Sequence, residues 1–335
     1  MNVPTDRRQF LGLSLAGVAV AAVGCGTAGG RNTRALRYQG WTGQVIPPEL
    51  AADLGYLEDL KLEWVGNTIS GPQDIQSAAT GQVDFGGAFN GAVVKLAAAH
   101  APITAVMGYY GKDQAEWTGY FVLEDSPIRS ARDLIGRKVG MNTLGAHSEA
   151  MLDIYLQRNG LSKDEIGKVE PIVVPPVNTE QSLRQRQIEV AALDDVLREK
   201  ALARGGVRTL FSDYALLGAF TAGTYVIKNS FIDRNPETVR AFVSGVGKAI
   251  EWSRTTPREQ VIERFTKIVA DRGRNEDTDS LRYWKSYGVA GPGGLIKDQE
   301  LQVWIDWLTD RGDIQPGSVK AGDLYTNRFN PYAKA

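Results

Sequence analysis

The sequence carries one cysteine and two histidines in 335 residues. A single thiol excludes an internal disulfide. His100 and His147 sit in no His-Glu-x-x-His run, no paired-cysteine spacing accompanies them, and no Gly-x-Ser-x-Gly elbow occurs. Zinc sites, metal-assisted hydrolysis and an α/β-hydrolase nucleophile therefore lack their residues, and general-base chemistry has little to work with. Blocks of like charge and low-complexity tracts are also missing, which argues against a disordered chain. Lysine and arginine number 38 against 39 acidic residues. Without a basic excess there is no electrostatic footprint for a phosphate backbone, so the balance speaks against nucleic acid as a partner.

What the sequence holds is a globular composition, 43% hydrophobic and 23% charged, in a length that suits two lobes. Only the N-terminus departs from it. Thr5-Asp6-Arg7-Arg8-Gln9-Phe10-Leu11 precedes an apolar run that ends at Val23. That run falls short of the roughly 20 residues a membrane span needs and has the build of an export signal. Arg7-Arg8-x-Phe10-Leu11 resembles a twin-arginine signal, with Asp6 as a departure, and Ala22-Val23-Gly24-Cys25 resembles a lipobox. Cys25 reads as the lipidated residue and membrane anchor; a stray buried cysteine is the other reading. Residues 1–24 are then a signal peptide and 25–35 a flexible tether.

In the body, residues 36–39 predict a strand, 47–55 a helix opened by Pro47-Pro48, and 62–65 a strand, an alternation that argues for a parallel sheet with crossover helices. Residues 71–81 predict a helix with proline at its start and Gly81 at its stop, followed by a strand over 82–88. The design returns about 105 residues later. Gln76-Ser77 matches Gln181-Ser182, and Gln82-Val83-Asp84 matches Gln187-Ile188-Glu189. Asn178 and Gln181 have capping-box spacing, which predicts a second helix start there. The strand-like segments 119–123 and 223–227 are the expected hinges. Lobe I then covers 36–122 plus 225–330, and lobe II covers 123–224. Towards the C-terminus, Val239, Phe242, Val243, Val246 and Ile250 form one apolar helical face under an Asn235 cap, and Leu301, Ile305 and Leu308 form another.

Ser70-Gly71-Pro72, Gly81-Gln82-Val83-Asp84-Phe85-Gly86, Asp125-Ser126-Pro127-Ile128, Asp133-Leu134-x-Gly136-x-Lys138-Val139 and Asn235-Pro236-Glu237-Thr238-Val239 together resemble a known group. It is that of the ABC-importer binding proteins for aliphatic sulfonates, taurine, nitrate and thiamine precursors. The resemblance implies an α/β architecture, the type II periplasmic-binding-protein fold, with two lobes joined by two hinge crossings and closing on a ligand. It leaves the ligand open. Arg186 stands where the family usually has glycine and Glu189 where it has aspartate, which puts local turn geometry in doubt.

In open α/β sheets ligands bind beyond the carboxyl ends of the strands. That rule selects Trp41, Thr42, Ser70, Gly71, Phe89, Asn90, Tyr109, Thr143, Gly145, Ala146, His147, Asp194 and Asp195. Trp41, Phe89, Tyr109 and Trp117 are read as flat walls for an organic ligand, or as core. Residues 143–148 precede a helix and form an anion site, or an ordinary capped helix start. There His147 donates to an acidic ligand, or faces solvent. Asp194 and Asp195 favour a ligand with N–H donors, or cap a helix.

The expected function is that of an exported solute-binding lipoprotein, not an enzyme, working without cofactor or metal. It would capture a sulfonate, a taurine-like zwitterion or a polar heterocycle and hand it to an ABC permease and its ATPase. The protein is expected as a monomer, anchored through Cys25 to the outer face of the cytoplasmic membrane or in the periplasm. The alternative is an exported or pyrimidine-synthase-like enzyme of the same fold family.

Overall fold

The structure is a computed structural model and describes residues 33–334. The expected export signal, Cys25 and most of the expected tether lie outside the described residues. The chain begins as β1 (Ala35–Gly40), α1 (Pro47–Asp53), β2 (Lys61–Asn67), α2 (Gly71–Thr80), β3 (Phe85–Phe89), α3 (Asn90–Ala98) and β4 (Ile103–Lys112). It continues with β5 (Gly119–Leu123), β6 (Lys138–Met141), α4 (His147–Arg158), α5 (Lys163–Ile166), β7 (Glu170–Val173), α6 (Pro176–Arg184), β8 (Val190–Leu193), α7 (Asp195–Arg204) and β9 (Val207–Ser212). The last elements are α8 (Asp213–Leu217), β10 (Phe220–Lys228), α9 (Asn229–Arg234), α10 (Pro236–Thr255), α11 (Arg258–Asp271) and α12 (Asp298–Arg311).

Three sheets result. β1 pairs with β2 in parallel, β10 lies antiparallel between β3 and β4, and a five-stranded sheet runs β7-β6-β8-β5-β9. The two smaller sheets and their helices form the first half; the five-stranded sheet and its helices form the second, an α/β half. The chain passes between the halves at 113–118 and at 213–219. The expected hinge segments 119–123 and 223–227 are instead inside strands β5 and β10, where ladder hydrogen bonds fix them.

The internal repeat is structural. Asp84 exchanges backbone and carboxylate bonds with Arg37: its N–H donates to the Arg37 carbonyl at 2.9 Å and its carboxylate accepts the Arg37 N–H at 2.7 Å. Glu189 does the same to Lys138, at 3.0 and 2.9 Å. Gly81 ends α2 at φ +83°, and Arg186 takes the equivalent left-handed turn at φ +58°. Arginine adopts the glycine conformation here, and the turn survives at a cost of about 1 kcal/mol. Two boundaries differ from the sequence reading. The strand expected from 82 starts at Phe85, because Asp84 is spent on Arg37. α6 starts at Pro176, so Asn178 lies inside the helix rather than capping it.

Asn235 precedes α10 but its side chain makes no cap bond; it accepts from the Thr33 N–H and donates to the Phe231 carbonyl. The α10 stripe is buried throughout, as are Leu301, Ile305 and Leu308 of α12. One core cluster joins Ile75 and Val93 of the first half, Met141 and Leu152 of the second, and Trp304 and Leu308 of α12. Thus α12 serves both halves: it lies on α3, and its end reaches α4, where Arg311 binds Glu149 at 2.9 Å and Asp153 at 2.8 Å. No described helix is long and apolar enough to cross a membrane.

Candidate functional site

At the end of β1, Thr42 accepts a hydrogen bond from Asn67 Nδ2 at 3.0 Å, and Asn67 Oδ1 accepts one from Trp64 at 3.0 Å. The next residue, Gly43, donates to Glu276 in the buried ion network of Glu49, Arg272 and Arg274. The loop carrying half-buried Trp41 and exposed Thr42 is therefore braced from behind. Ser70 starts α2 in an extended conformation, with no side-chain cap bond. Gly71 is required by close approach: a Cβ there would lie 2.9 Å from the Ala88 Cα. One turn on, Asp74 accepts the Gly87 N–H at 2.7 Å, tying α2 to β3. Burial pushes its carboxyl up to about 7, although the Gly87 bond pulls the other way.

Two expected wall residues, Tyr109 and Phe89, are interior, as is Asn90. Tyr109 stacks on Tyr225 at 4.1 Å and covers Gly87, where any Cβ would meet its ring at 2.7 Å. Phe89 packs edge-on against His147 and Trp304. Asn90, fully buried, donates to the Thr221 and Glu300 carbonyls. These residues support the site from beneath. Trp117 is half-buried and one face is covered by the Arg198 guanidinium, 4.4 Å from the ring centre.

In the second half, the start of α4 is partly occupied by its own chain. The Gly145 N–H donates to Glu149, which Arg311 neutralises. Thr143 and Gly145 are half-buried and Ala146 is buried. His147 does not face solvent. Its Nε2 lies 2.8 Å from Asp213 Oδ2, and its ring is stacked on Phe220. Asp213 is fully buried and also accepts the Thr118 and Tyr214 N–H groups, at 2.9 and 2.7 Å. Burial opposes its charge, but the bond to His147 and the nearby Lys112 outweigh that and hold the carboxyl below its usual range. An ionised carboxylate only accepts, so Nε2 carries the proton and, in the neutral ring, Nδ1 is an acceptor. Nδ1 has no hydrogen-bond partner. The expected donor, Nε2, is thus engaged by Asp213.

A buried charge cluster fills the first crossing. Lys112 Nζ lies 3.4 Å from Glu116 Oε1, and that oxygen also accepts the Asp195 N–H at 3.3 Å. Arg198, fully buried, donates to the Trp117 and Ala115 carbonyls and lies 3.6 Å from Glu116 Oε2. Burial raises Glu116, and Asp195 adds repulsion that the Lys112 charge only partly offsets. Asp195 is raised by burial and then by Asp194. Burial alone would lower Lys112, but Glu116, Asp213 and Asp194 raise it. Asp194 stands at the N-cap of α7, exposed, with no side-chain cap bond.

The structure therefore brings Phe89 against His147, which binds Asp213, and places Trp117, Asp194 and Asp195 near Glu116, while Asn90 is turned to the Thr221 and Glu300 carbonyls. Trp41, Thr42, Ser70 and Gly71 form the strand ends of the other half. Sequence reasoning missed Lys112, Glu116, Arg198, Asp213, Phe220 and Trp304. The strand-end rule would have found Asp213, which follows β9 directly; no local signal marks the others. Two surface cavities lie elsewhere, one of about 590 Å³ along α12 with Asp306 and Lys320, one of about 210 Å³ with Arg137 and Arg186.

The sequence profile of the NMT1/THI5-like family matches residues 43–260. A chain of Brucella abortus whose name calls it a binding protein is 24% identical over 272 residues, 77% of this chain and 80% of that one. The 4-amino-5-hydroxymethyl-2-methylpyrimidine phosphate synthase THI12 of Saccharomyces cerevisiae is 25% identical over 305 residues, 86% of this chain and 83% of that one. The crystal structure of the periplasmic aliphatic sulphonate binding protein SsuA from Escherichia coli superposes with a TM-score of 0.67 at 23% identity, covering 87% of this chain and 92% of that one.

Proposed function

The chain belongs to the NMT1/THI5-like family, and from that premise we propose that it is an exported solute-binding lipoprotein of an ABC importer. Its fold is that of the periplasmic binding proteins. The two halves, taken as lobes, would close on a small polar organic molecule and present it unchanged to a permease and its ATPase. The observation that carries this reading is the pair of crossings: strand ends of both halves meet there over a buried, hydrogen-bonded base rather than over a reactive side chain. Asp213 ties the two crossings and α4 together. Such a base suits binding followed by rigid-body motion.

A second reading is favoured by the relative named as a pyrimidine phosphate synthase, which makes an enzyme of this fold the competitor. Incubating the purified protein with candidate ligands and following them by mass spectrometry separates the two. Recovery of every ligand unaltered is the expected result; product formed at a rate proportional to protein would sink the binding-protein reading. The anchor is tested separately. Cys25→Ala should shift the protein from the membrane to the soluble fraction, because a chain without acylation has no stable hold on the bilayer. Equal membrane retention of variant and wild type would rule out lipidation at Cys25.

A further inference from the structure

We propose that the surface pocket of the five-stranded half, on the edge of the sheet away from the crossings, binds a small organic anion, a carboxylate carried on an apolar body. This second site is separate from the crossing region and does not depend on the solute-binding reading.

The pocket, of about 210 Å³, opens at the amino ends of β6 and β8: Arg137 precedes β6, Glu189 precedes β8, and Leu123 closes the antiparallel β5. The crossings lie at the other edge of the sheet, ~13 Å away along the four residues of β6. The volume is below the roughly 300 Å³ at which drug-sized ligands begin, so the occupant is small. Its floor is apolar. Ile128, Leu183 and Ile188 are 2%, 1% and 3% exposed, and the latter two belong to the small core cluster that includes Phe121 and Leu193. Ile188 is seated on Gly140 of β6, where a Cβ would stand 2.4 Å from its Cδ1.

The uncommitted polar atoms around this floor are mostly donors. Ser126, only 8% exposed, accepts the Ile128 N–H at 3.3 Å through Oγ, and its hydroxyl hydrogen is given to none of the described residues. The Arg137 side chain lines the pocket, and its guanidinium has no ion pair or hydrogen bond among the described residues. Behind the loop, Arg208 donates to the Ser126 carbonyl at 3.0 Å and to the Ile128 carbonyl, while its Nε is buried without a partner. Arg129 donates to the same two carbonyls. Arg186 closes the rim. Its φ of +58° is the left-handed turn that the first copy of the repeat gives to Gly81, and its guanidinium reaches from the end of α6 to Asp125, after β5, at 2.6 Å. Both side chains of that pair are about two-thirds exposed, so the pair contributes little and Arg186 can turn to an incoming carboxylate at small cost. An arginine held in a strained turn beside a pocket is an outlier that points to use. The acidic groups here are Asp125 and Glu189, and Glu189 accepts the Lys138 N–H at 2.9 Å. Their presence favours a single negative charge over a multiply charged phosphate. The guanidinium groups suit a carboxylate, and the floor suits a carbon body.

The test is calorimetric titration of the protein with benzoate, set against its neutral and cationic isosteres, benzamide and benzamidine, and against inorganic phosphate. Benzoate should bind saturably and about tenfold or more tighter than the other three. Arg137→Ala should weaken benzoate about tenfold with an unchanged melting temperature, since the side chain it removes holds nothing else. Arg186→Gly should weaken benzoate too, yet raise the melting temperature, because glycine takes the left-handed turn without strain. A purely structural Arg186 would move the melting temperature alone. Absence of saturable benzoate binding, or benzamide, benzamidine or phosphate binding as tightly as benzoate, overturns the proposal. So does a benzoate affinity that Arg137→Ala leaves unchanged, which places benzoate elsewhere, the crossing region included. Should Arg137→Ala fail to fold, the affinity of Arg186→Gly decides in its place. None of these outcomes touches the solute-binding reading, which the mass-spectrometric assay tests by itself.

Discussion

Asp74 is the residue whose environment differs most plainly between folded and unfolded chain. In the unfolded chain its carboxyl titrates near 3.8, and in the fold burial raises it to about 7. Below the lower value both states are protonated and the group is neutral to stability. As pH rises towards 7 the unfolded chain ionises while the folded one holds its proton, so stability falls, by up to ~1.4 kcal/mol per unit. Asp74→Asn keeps an acceptor for the Gly87 N–H and removes the titration. Its denaturation midpoint should therefore decline less than wild type's between pH 4 and 7; parallel curves would show that Asp74 is not held neutral. At this scale the strand-end rule selected His147, Asp194 and Asp195, which the fold places beside the crossings, but it did not select their partners. Residue type could not tell that Tyr109 and Phe89 point inward, since an aromatic after a strand suits core and cleft equally. Nor could it reveal that Asp213 sets the hydrogen-bonding role of His147.

Among the elements, α2 is the one whose seating governs the candidate site, because Ser70 and Gly71 begin it. It rests directly on β3. A Cβ on Gly86 would stand 2.4 Å from the Asp74 carbonyl oxygen, whereas one on Gly81 meets nothing within 4 Å. Gly86→Ala should therefore push α2 off its strand, lowering stability by about 1–3 kcal/mol and ligand affinity with it. Gly81→Ala places a side chain at φ +83° and should cost about 1 kcal/mol while leaving affinity alone. Thermal melts with parallel binding titrations check the pair; equal affinity losses in both would mean that α2 does not position the site. Elements were the most legible level of this sequence. Pro72 and Gly81 bracket α2 as proline and glycine should, and the repeat of 76–84 in 181–189 returns as the same strand-locking contact, Asp84 on Arg37 and Glu189 on Lys138. The segments expected as hinges, 119–123 and 223–227, lie within strands, and the chain between the sheets, at 113–118 and 213–219, carries Asp113, Glu116 and Asp213.

For the whole molecule, α12 was the least legible element. Its apolar stripe announced burial but not that it would lie against both halves, with Trp304 beneath Phe89 and Arg311 holding α4. The described residues, 33–334, consequently form one compact unit. The proposed closing motion would pivot about Asp213 and the Glu116 cluster while α12 keeps or exchanges its grip on α4. Contacts of this kind depend on residues more than 150 positions apart, as for Arg311 and Glu149, and no local pattern encodes them. The account's central claim is that the halves close on a ligand, and small-angle scattering of the protein with and without a saturating ligand tests it most directly. The account predicts a smaller radius of gyration in the bound state; a tightly bound ligand with an unchanged scattering profile would contradict it.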